Sequence, residues 1–308
     1  RSLVMHVNNV KLGHRNKQSY ANTRTTGKEQ YYTKKEVVDL CIAEVQRFVD
    51  LSSRPIVEPC GGTGEFIDGL LRAGVEPENI ISFDIDPAHP MVMKGDYLEQ
   101  NLKHLTSLVS ITNPPFGRAS SLAKKFFNHD AQYCDFICYL IPKSWRKWTV
   151  HNSLDPNFRL VSDIELPKNC FYLPDGTEKP KDVLNTVFQI WRKTDTPRKK
   201  IKIPDHGLIK KVFPSIDKHG NKVVKGANFS IVTFGHSCGK CFEITDKVVP
   251  YKTTTMYLQV EDRKVKSALK CANLSKFYNN VAYVQALSIQ EINYELNRIF
   301  ELPNYNFS

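Results

Sequence analysis

Short apolar runs return along this chain at intervals too long for a hairpin and long enough for a helix. Ile56-Val57, Ile80-Ile81-Ser82-Phe83-Asp84, Leu108-Val109-Ser110-Ile111-Thr112 and residues 136–141 read as strands. Residues 65–73 and 119–129 between them read as helices. Parallel neighbours in a sheet need a crossover of a dozen or more residues, and a helix usually supplies it. Further strand-like stretches follow at 158–166 and 187–191. Ahead of the first strand, Thr33-Lys34-Lys35-Glu36 has capping-box spacing, with Val37, Val38, Leu40, Cys41, Val45 and Phe48 at helical intervals after it. The alternation predicts an α/β fold, a mostly parallel sheet wrapped by helices.

The 308 residues suffice for a catalytic domain and a smaller one. Residues 1–29 are polar and basic and read as an arm or loop. The stretch 30–195 carries the alternation. Composition changes near residue 195: residues 192–225 hold eleven Lys or Arg against three Asp, punctuated by Pro197, Pro204, Gly207, Pro214, Gly220 and Gly226. Residues 196–308 are expected to form a smaller, basic, β-rich region. Ser288 and Glu291 are spaced as a capping box at the start of a closing amphipathic helix over 288–302. The chain opens Arg1-Ser2-Leu3 without an initiator Met, so a preceding segment, with any targeting signal, is expected.

The formal charge of +11 favours a polyanionic partner. No apolar run approaches the ~20 residues that span a bilayer. Several of the eight cysteines sit in apolar runs, where Cys acts as a small hydrophobe. This usage predicts a reducing compartment, the cytoplasm of a bacterium or of a virus- or phage-infected cell, or a nucleus. Cys238-Gly-Lys-Cys241 has zinc-ligand spacing, but no second pair completes it, and no metal is expected.

Two turns stand at predicted strand ends, where open parallel sheets bind ligands. The first is Glu58-Pro59-Cys60-Gly61-Gly62-Thr63-Gly64, whose glycines let a ligand approach the backbone. Asp84, ending the next strand, suits the hydroxyls of a ribose. The second is Asn113-Pro114-Pro115-Phe116. Two prolines after a strand end its ladder and fix the backbone, as an aimed carbonyl would require.

Glu58, Pro59, Gly62, Gly64 and Phe66 match the EPxxGxGxF form of class I adenine-specific methyltransferases, and Asn113-Pro-Pro-Phe116 resembles their catalytic motif. Leu140-Ile-Pro-Lys-Ser144, Phe188-Gln-Ile-Trp191, and Phe229 to Gly235 with Gly239-Lys240 resemble further segments of phage, viral and bacterial members. The resemblance covers most of residues 28–300, with the motifs in the gamma order. Cys60 and Gly61 depart from it, standing where alanine-like residues are common.

The resemblance implies a Rossmann-like, mostly parallel seven-stranded methyltransferase sheet with helices on both faces, and S-adenosylmethionine as cofactor. Tyr32 and Thr33, Glu58 to Gly62, Gly64, Asp84, Ile85, Asp96, Tyr97 and Asn113 would line the cofactor site. Within it Thr33 would bind the methionine carboxylate, Gly62 and Gly64 would face the methionine, Asp84 the ribose, and Ile85 and Asp96 the adenine.

The implied activity is site-specific N6-adenine methylation of DNA. An exocyclic amino nitrogen is a poor nucleophile, because its lone pair is delocalised into the ring. Acceptors aimed at its two hydrogens, the Asn113 side-chain oxygen and the Pro114 carbonyl, would draw it toward tetrahedral geometry. Phe116 would stack on a base flipped out of the duplex. Lys143, Arg146 and Trp148 pair cations with aromatics and suit DNA contact, and Lys199, Lys200, Lys210 and Lys211 suit phosphates. The polar arm from Lys11 to Lys28 is the next candidate. Three other readings compete: an RNA N6-adenosine methyltransferase, a protein glutamine methyltransferase and an inactive nucleic-acid-binding subunit.

Overall fold

The computed structural model describes residues 2–6, 28–172, 176 and 184–307. The Lys11–Lys28 candidate therefore lies outside the described residues, Lys28 excepted. The chain divides into two compact units, residues 1–198 and 199–308.

The first unit is built on seven strands: β1 (Ile56–Glu58), β2 (Ile80–Asp84), β3 (Val92–Lys94), β4 (Leu108–Thr112), β5 (Cys134–Pro142), β6 (Phe158–Glu165) and β7 (Thr186–Lys193). Their order across the sheet is β3-β2-β1-β4-β5-β7-β6. The first five are mutually parallel. Strand β7 runs antiparallel to both β5 and β6. This is the Rossmann order 3-2-1-4-5-6 with one reversed strand inserted before the last. Strands β1 and β4 are buried along their whole length, as two covered faces demand, whereas the edge strand β6 is half-exposed.

The helices are α1 (Lys35–Gln46), α2 (Glu65–Arg72), α3 (Ser121–Asp130) and the single turn α4 (Trp148–His151). Helix α2 joins β1 to β2 and α3 joins β4 to β5. Because the strand order reverses between β1 and β4, right-handed crossovers put α2 and α3 on opposite faces. The reversal also opens a crevice at the carboxyl ends of β1 and β4, and both predicted turns stand there.

Two local expectations are corrected. Residues Ser2–His6, read as part of an arm or loop, form a strand antiparallel to Lys28–Thr33, which pairs in turn with Phe171–Tyr172. Thr33 does not cap α1. The strand continues through it, the Lys34 N–H is held by the Cys170 carbonyl at 2.9 Å, and the helix is capped at Lys34 with no side-chain bond.

The second unit holds a four-stranded antiparallel sheet, in the order Lys210–Val212, Thr255–Gln259, Phe229–Val232, Cys241–Glu243. A three-stranded sheet of Ser215–Ile216, Lys222–Lys225 and Val248–Pro250 accompanies it. Helices α5 (Arg263–Cys271), α6 (Ser275–Tyr278) and α7 (Ile289–Ile299) complete the unit. The capping box at Ser288 and Glu291 is present, and Ile292 and Leu296 of α7 are buried in this unit's core. Cys238 belongs to the same core, and the Cys241 thiol donates to the Leu269 carbonyl, with burial pushing its pKa up to about 11. Among the described residues no helix is long and apolar enough to cross a membrane.

Candidate active site

The glycine turn is shaped by two buried carboxylates. Glu58 Oε1 accepts the Cys60 N–H at 2.9 Å and the Thr112 hydroxyl. It thereby ties the end of β1 to the end of β4, one residue before Asn113. Asp84 Oδ2 accepts the Gly62 N–H at 2.9 Å and Oδ1 accepts the Asp86 N–H at 2.8 Å, so this side chain clamps the turn across the crevice. The Cys60 thiol lies 3.6 Å from Asp84 Oδ2. Burial pushes the Asp84 carboxyl up, and the N–H donors oppose it.

Gly62 and Gly64 take left-handed φ values of 52° and 81°, so the turn reverses directly into α2. Gly61 departs from alanine for a steric reason: a Cβ there would run into the Ser82 hydroxyl and the Val92 side chain. Pro59, between Glu58 and Cys60, is buried. Ile85, next to Asp84, leaves 41 % of its surface exposed at a strand's carboxyl end, as a ligand-facing apolar side chain would.

Asp96 caps a short 3-10 turn, accepting the Leu98 N–H at 2.9 Å through Oδ1. Its neighbour Tyr97 turns its side chain inward. The side chain is buried, and its hydroxyl donates to Asp130, which also receives the Tyr139 hydroxyl. What Tyr97 can offer a ligand is its backbone.

Asn113 is 3 % exposed, directly after β4. Its Nδ2 donates to Thr33 Oγ1 at 3.3 Å, which joins two predicted site residues that stand far apart in the chain. Its Oδ1 is buried and has no hydrogen-bond partner among the described residues. An unsatisfied buried acceptor costs ~1–3 kcal/mol, a cost that a donor from a ligand would remove. Tyr32, the residue before Thr33, is half-buried.

Pro114, Pro115 and Phe116 are also buried. The Phe116 carbonyl accepts the N–H groups of Leu122 and Ala123, tying the motif to the start of α3. Just beyond it, Ala119 and Ser120 hold left-handed φ values of 50° and 59°. Such conformations cost ~1–3 kcal/mol each in non-glycine residues and concentrate at ligand sites. Phe116 is 4 % exposed.

The nucleic-acid candidates divide sharply. Lys143 and Arg146 both find counter-ions on β6. Lys143 Nζ lies 2.8 Å from Glu165, and Arg146 forks onto Asp163 at 2.5 and 3.0 Å. Trp145 is fully buried against Phe127 and Tyr139, while Trp148 stays half-buried at the start of α4. Arg198, in the basic stretch, donates to the backbone carbonyls of His151, Leu154, Asp155 and Phe158 and lies over the Trp191 ring. Lys199, Lys200, Lys210 and Lys211 are exposed. Sequence reading missed Thr112, Ser82 and Asp130; the one signal was a polar residue inside or closing an apolar run.

The chain matches no known protein-family profile and no curated protein. Among solved structures it is similar to a proposed RNA methyltransferase from Pyrococcus horikoshii, at 16 % identity and a TM-score of 0.44, over 54 % of this chain and 88 % of that one. A proposed class I S-adenosylmethionine-dependent methyltransferase from Listeria monocytogenes gives 15 % and 0.38, over 54 % and 61 %. The methyltransferase subunit of a type I restriction-modification system from Streptococcus thermophilus gives 13 % and 0.40, over 56 % of this chain and 46 % of that one. This chain thus spans less than half the length of that subunit.

Proposed function

We propose that this chain transfers a methyl group from S-adenosylmethionine to the N6 amino group of adenine in DNA. The observation that carries the reading is the Asn113 oxygen, buried, oriented through Thr33 and left without a donor among the described residues. A chain that strands an acceptor beside two consecutive prolines, at the switch point of a parallel sheet, is built to receive a donor there.

The residues present fit the cofactor. Gly62 gives it backbone to lie against, Asp84 and Asp96 offer carboxylates to ribose and adenine, and the exposed Ile85 offers an apolar face, while the His89 ring covers Gly64. Asp84 can hold the Gly62 N–H and a ribose hydroxyl together, since each carboxylate oxygen has two lone pairs. When bound, the cofactor supplies a methyl group on a positively charged sulfur.

The chain's own contribution is positional and electrostatic. Asn113 Oδ1 and the Pro114 carbonyl accept the two amino hydrogens of a flipped adenine and localise the nitrogen lone pair. With the cofactor bound, the nitrogen would take its methyl group as the S–C bond breaks, and the amino proton released would pass to solvent. Phe116 and Trp148 hold the faces of the extruded base, and Lys199, Lys200, Lys210 and Lys211 hold phosphates.

Asn113→Ala tests this assignment. Single-turnover transfer should fall by ~10²–10³, the usual cost of one oriented partner in a dry site. Calorimetric affinity for S-adenosylmethionine should stay near wild type. Wild-type rates from the variant would remove Asn113 from the chemistry.

A further inference from the structure

Residues 210–225 are the most exposed apolar corner of the described chain. Phe213 is 71 % exposed and Ile216 61 %, and no other large hydrophobic residue described reaches either value. Strand Lys210–Val212 lies at the edge of the four-stranded sheet, and Ser215–Ile216 at the edge of the three-stranded one, with Ile216 opposite Lys222.

The turn between Ile216 and Lys222 is well built. Asp217 Oδ1 accepts the N–H groups of His219 and Asn221 at 2.8 and 2.9 Å. The Asp217 N–H donates to the Asn221 carbonyl, and the Gly220 N–H to the Asp217 carbonyl. Gly220 takes the left-handed φ of 81° that closes the loop.

Five exposed lysines lie along this segment: Lys210, Lys211, Lys218, Lys222 and Lys225. None of them forms an ion pair among the described residues, in contrast to Lys143 and Arg146. Asp217, the one acid in the stretch, spends an oxygen on the turn. Lys211 Nζ lies 5.2 Å from the Phe213 ring centroid and Lys222 Nζ 5.6 Å from that of Tyr251. Edge lysines also deter strand-to-strand aggregation. That purpose gains nothing from an exposed Phe and Ile, which work against it.

We propose that the 210–225 segment is a wedge for duplex DNA. The lysines take phosphates on either side, and Phe213 and Ile216 press between base pairs, the arrangement by which basic proteins trade local unstacking for grip. The assignment rests on the DNA reading above and adds a second point of attachment, separate from the base pocket.

The full-length Phe213→Ser/Ile216→Ser variant decides it, measured against a short labelled duplex carrying 2-aminopurine. Both residues are exposed, so melting temperature should not change. Affinity should fall roughly five- to hundredfold, the range for removing a side chain that stacks on a base. The rise in 2-aminopurine fluorescence on binding should disappear, while the log–log salt slope stays at its wild-type value. Lys210→Ala/Lys211→Ala/Lys218→Ala/Lys222→Ala should instead lower the slope by about 0.9 for each phosphate no longer neutralised. Wild-type affinity and fluorescence from the Ser variant overturn the wedge, as does a wild-type protein that binds single-stranded RNA or an acidic protein but no duplex. A protein that binds and unstacks duplex yet transfers no methyl group keeps the wedge and rejects the activity. A DNA-methylating protein whose Ser variant binds normally does the reverse.

Discussion

Asp84 serves both partners of the crevice with one carboxylate. It fixes the Gly62 and Asp86 N–H groups, and the proposed function gives it a ribose to hold as well. Asp84→Ala should therefore weaken S-adenosylmethionine binding by ~1.5–3 kcal/mol, the range for hydrogen bonds to a charged group. Calorimetry measures this, and an unchanged dissociation constant would separate Asp84 from the cofactor. The glycine turn and Asn113-Pro-Pro-Phe116 were legible as residues because glycine and proline restrict backbone in ways few other roles require. Two side-chain directions were not legible. Tyr97 follows Asp96 in sequence but turns inward to Asp130, and Thr33 has the spacing of a cap although its hydroxyl meets Asn113. Both outcomes depend on partners at least 33 residues away, which spacing along the chain does not reveal.

At the scale of elements, Asp130 joins three of them. It ends α3, receives Tyr139 from β5, and receives Tyr97 from the turn that carries Asp96. Burial pushes its pKa from 3.8 to about 6, with the hydroxyl donors pulling the other way. The native carboxyl therefore holds its proton where the unfolded one has lost it. Its contribution to stability is full below pH 3.8 and is lost as pH rises to about 6, at about 1.4 kcal/mol per unit of separation. Denaturation between pH 4 and 8 should show this falling component in the wild type and not in Asp130→Asn. Identical pH dependence in the two would remove Asp130 as its source.

Strand β6 supplies a second test. Arg146→Ala should lower the melting temperature, because Asp163 loses its fork, and should leave the salt slope of DNA binding unchanged. A reduced slope would restore Arg146 as a phosphate ligand. Six of the seven strands were legible as apolar runs; the short edge strand Val92–Lys94, with one buried residue, was not. The pairing of Arg146 with Asp163 was not, because β6 reaches its place in the sheet only through the reversed β7.

At the scale of the whole molecule, the chain comprises an α/β unit that holds every candidate catalytic residue and a β-rich unit that holds the exposed lysines of 210–225. The class of the first was open to reading, because parallel strands separated by helices leave a strong periodic trace. The arrangement of the second was less so, since its strands are two to five residues long. Charge, Pro and Gly punctuation and one capping box marked it, and charge does not distinguish a solvated surface from a binding one. The central claim, methyl transfer to adenine N6 in DNA, is tested most directly by incubating the full chain with tritiated S-adenosylmethionine and separate DNA, RNA and protein acceptors, then digesting each product. The account predicts label in the DNA arm, recovered as N6-methyladenine and absent with Asn113→Ala. Label on RNA, on glutamine or on no acceptor would contradict it.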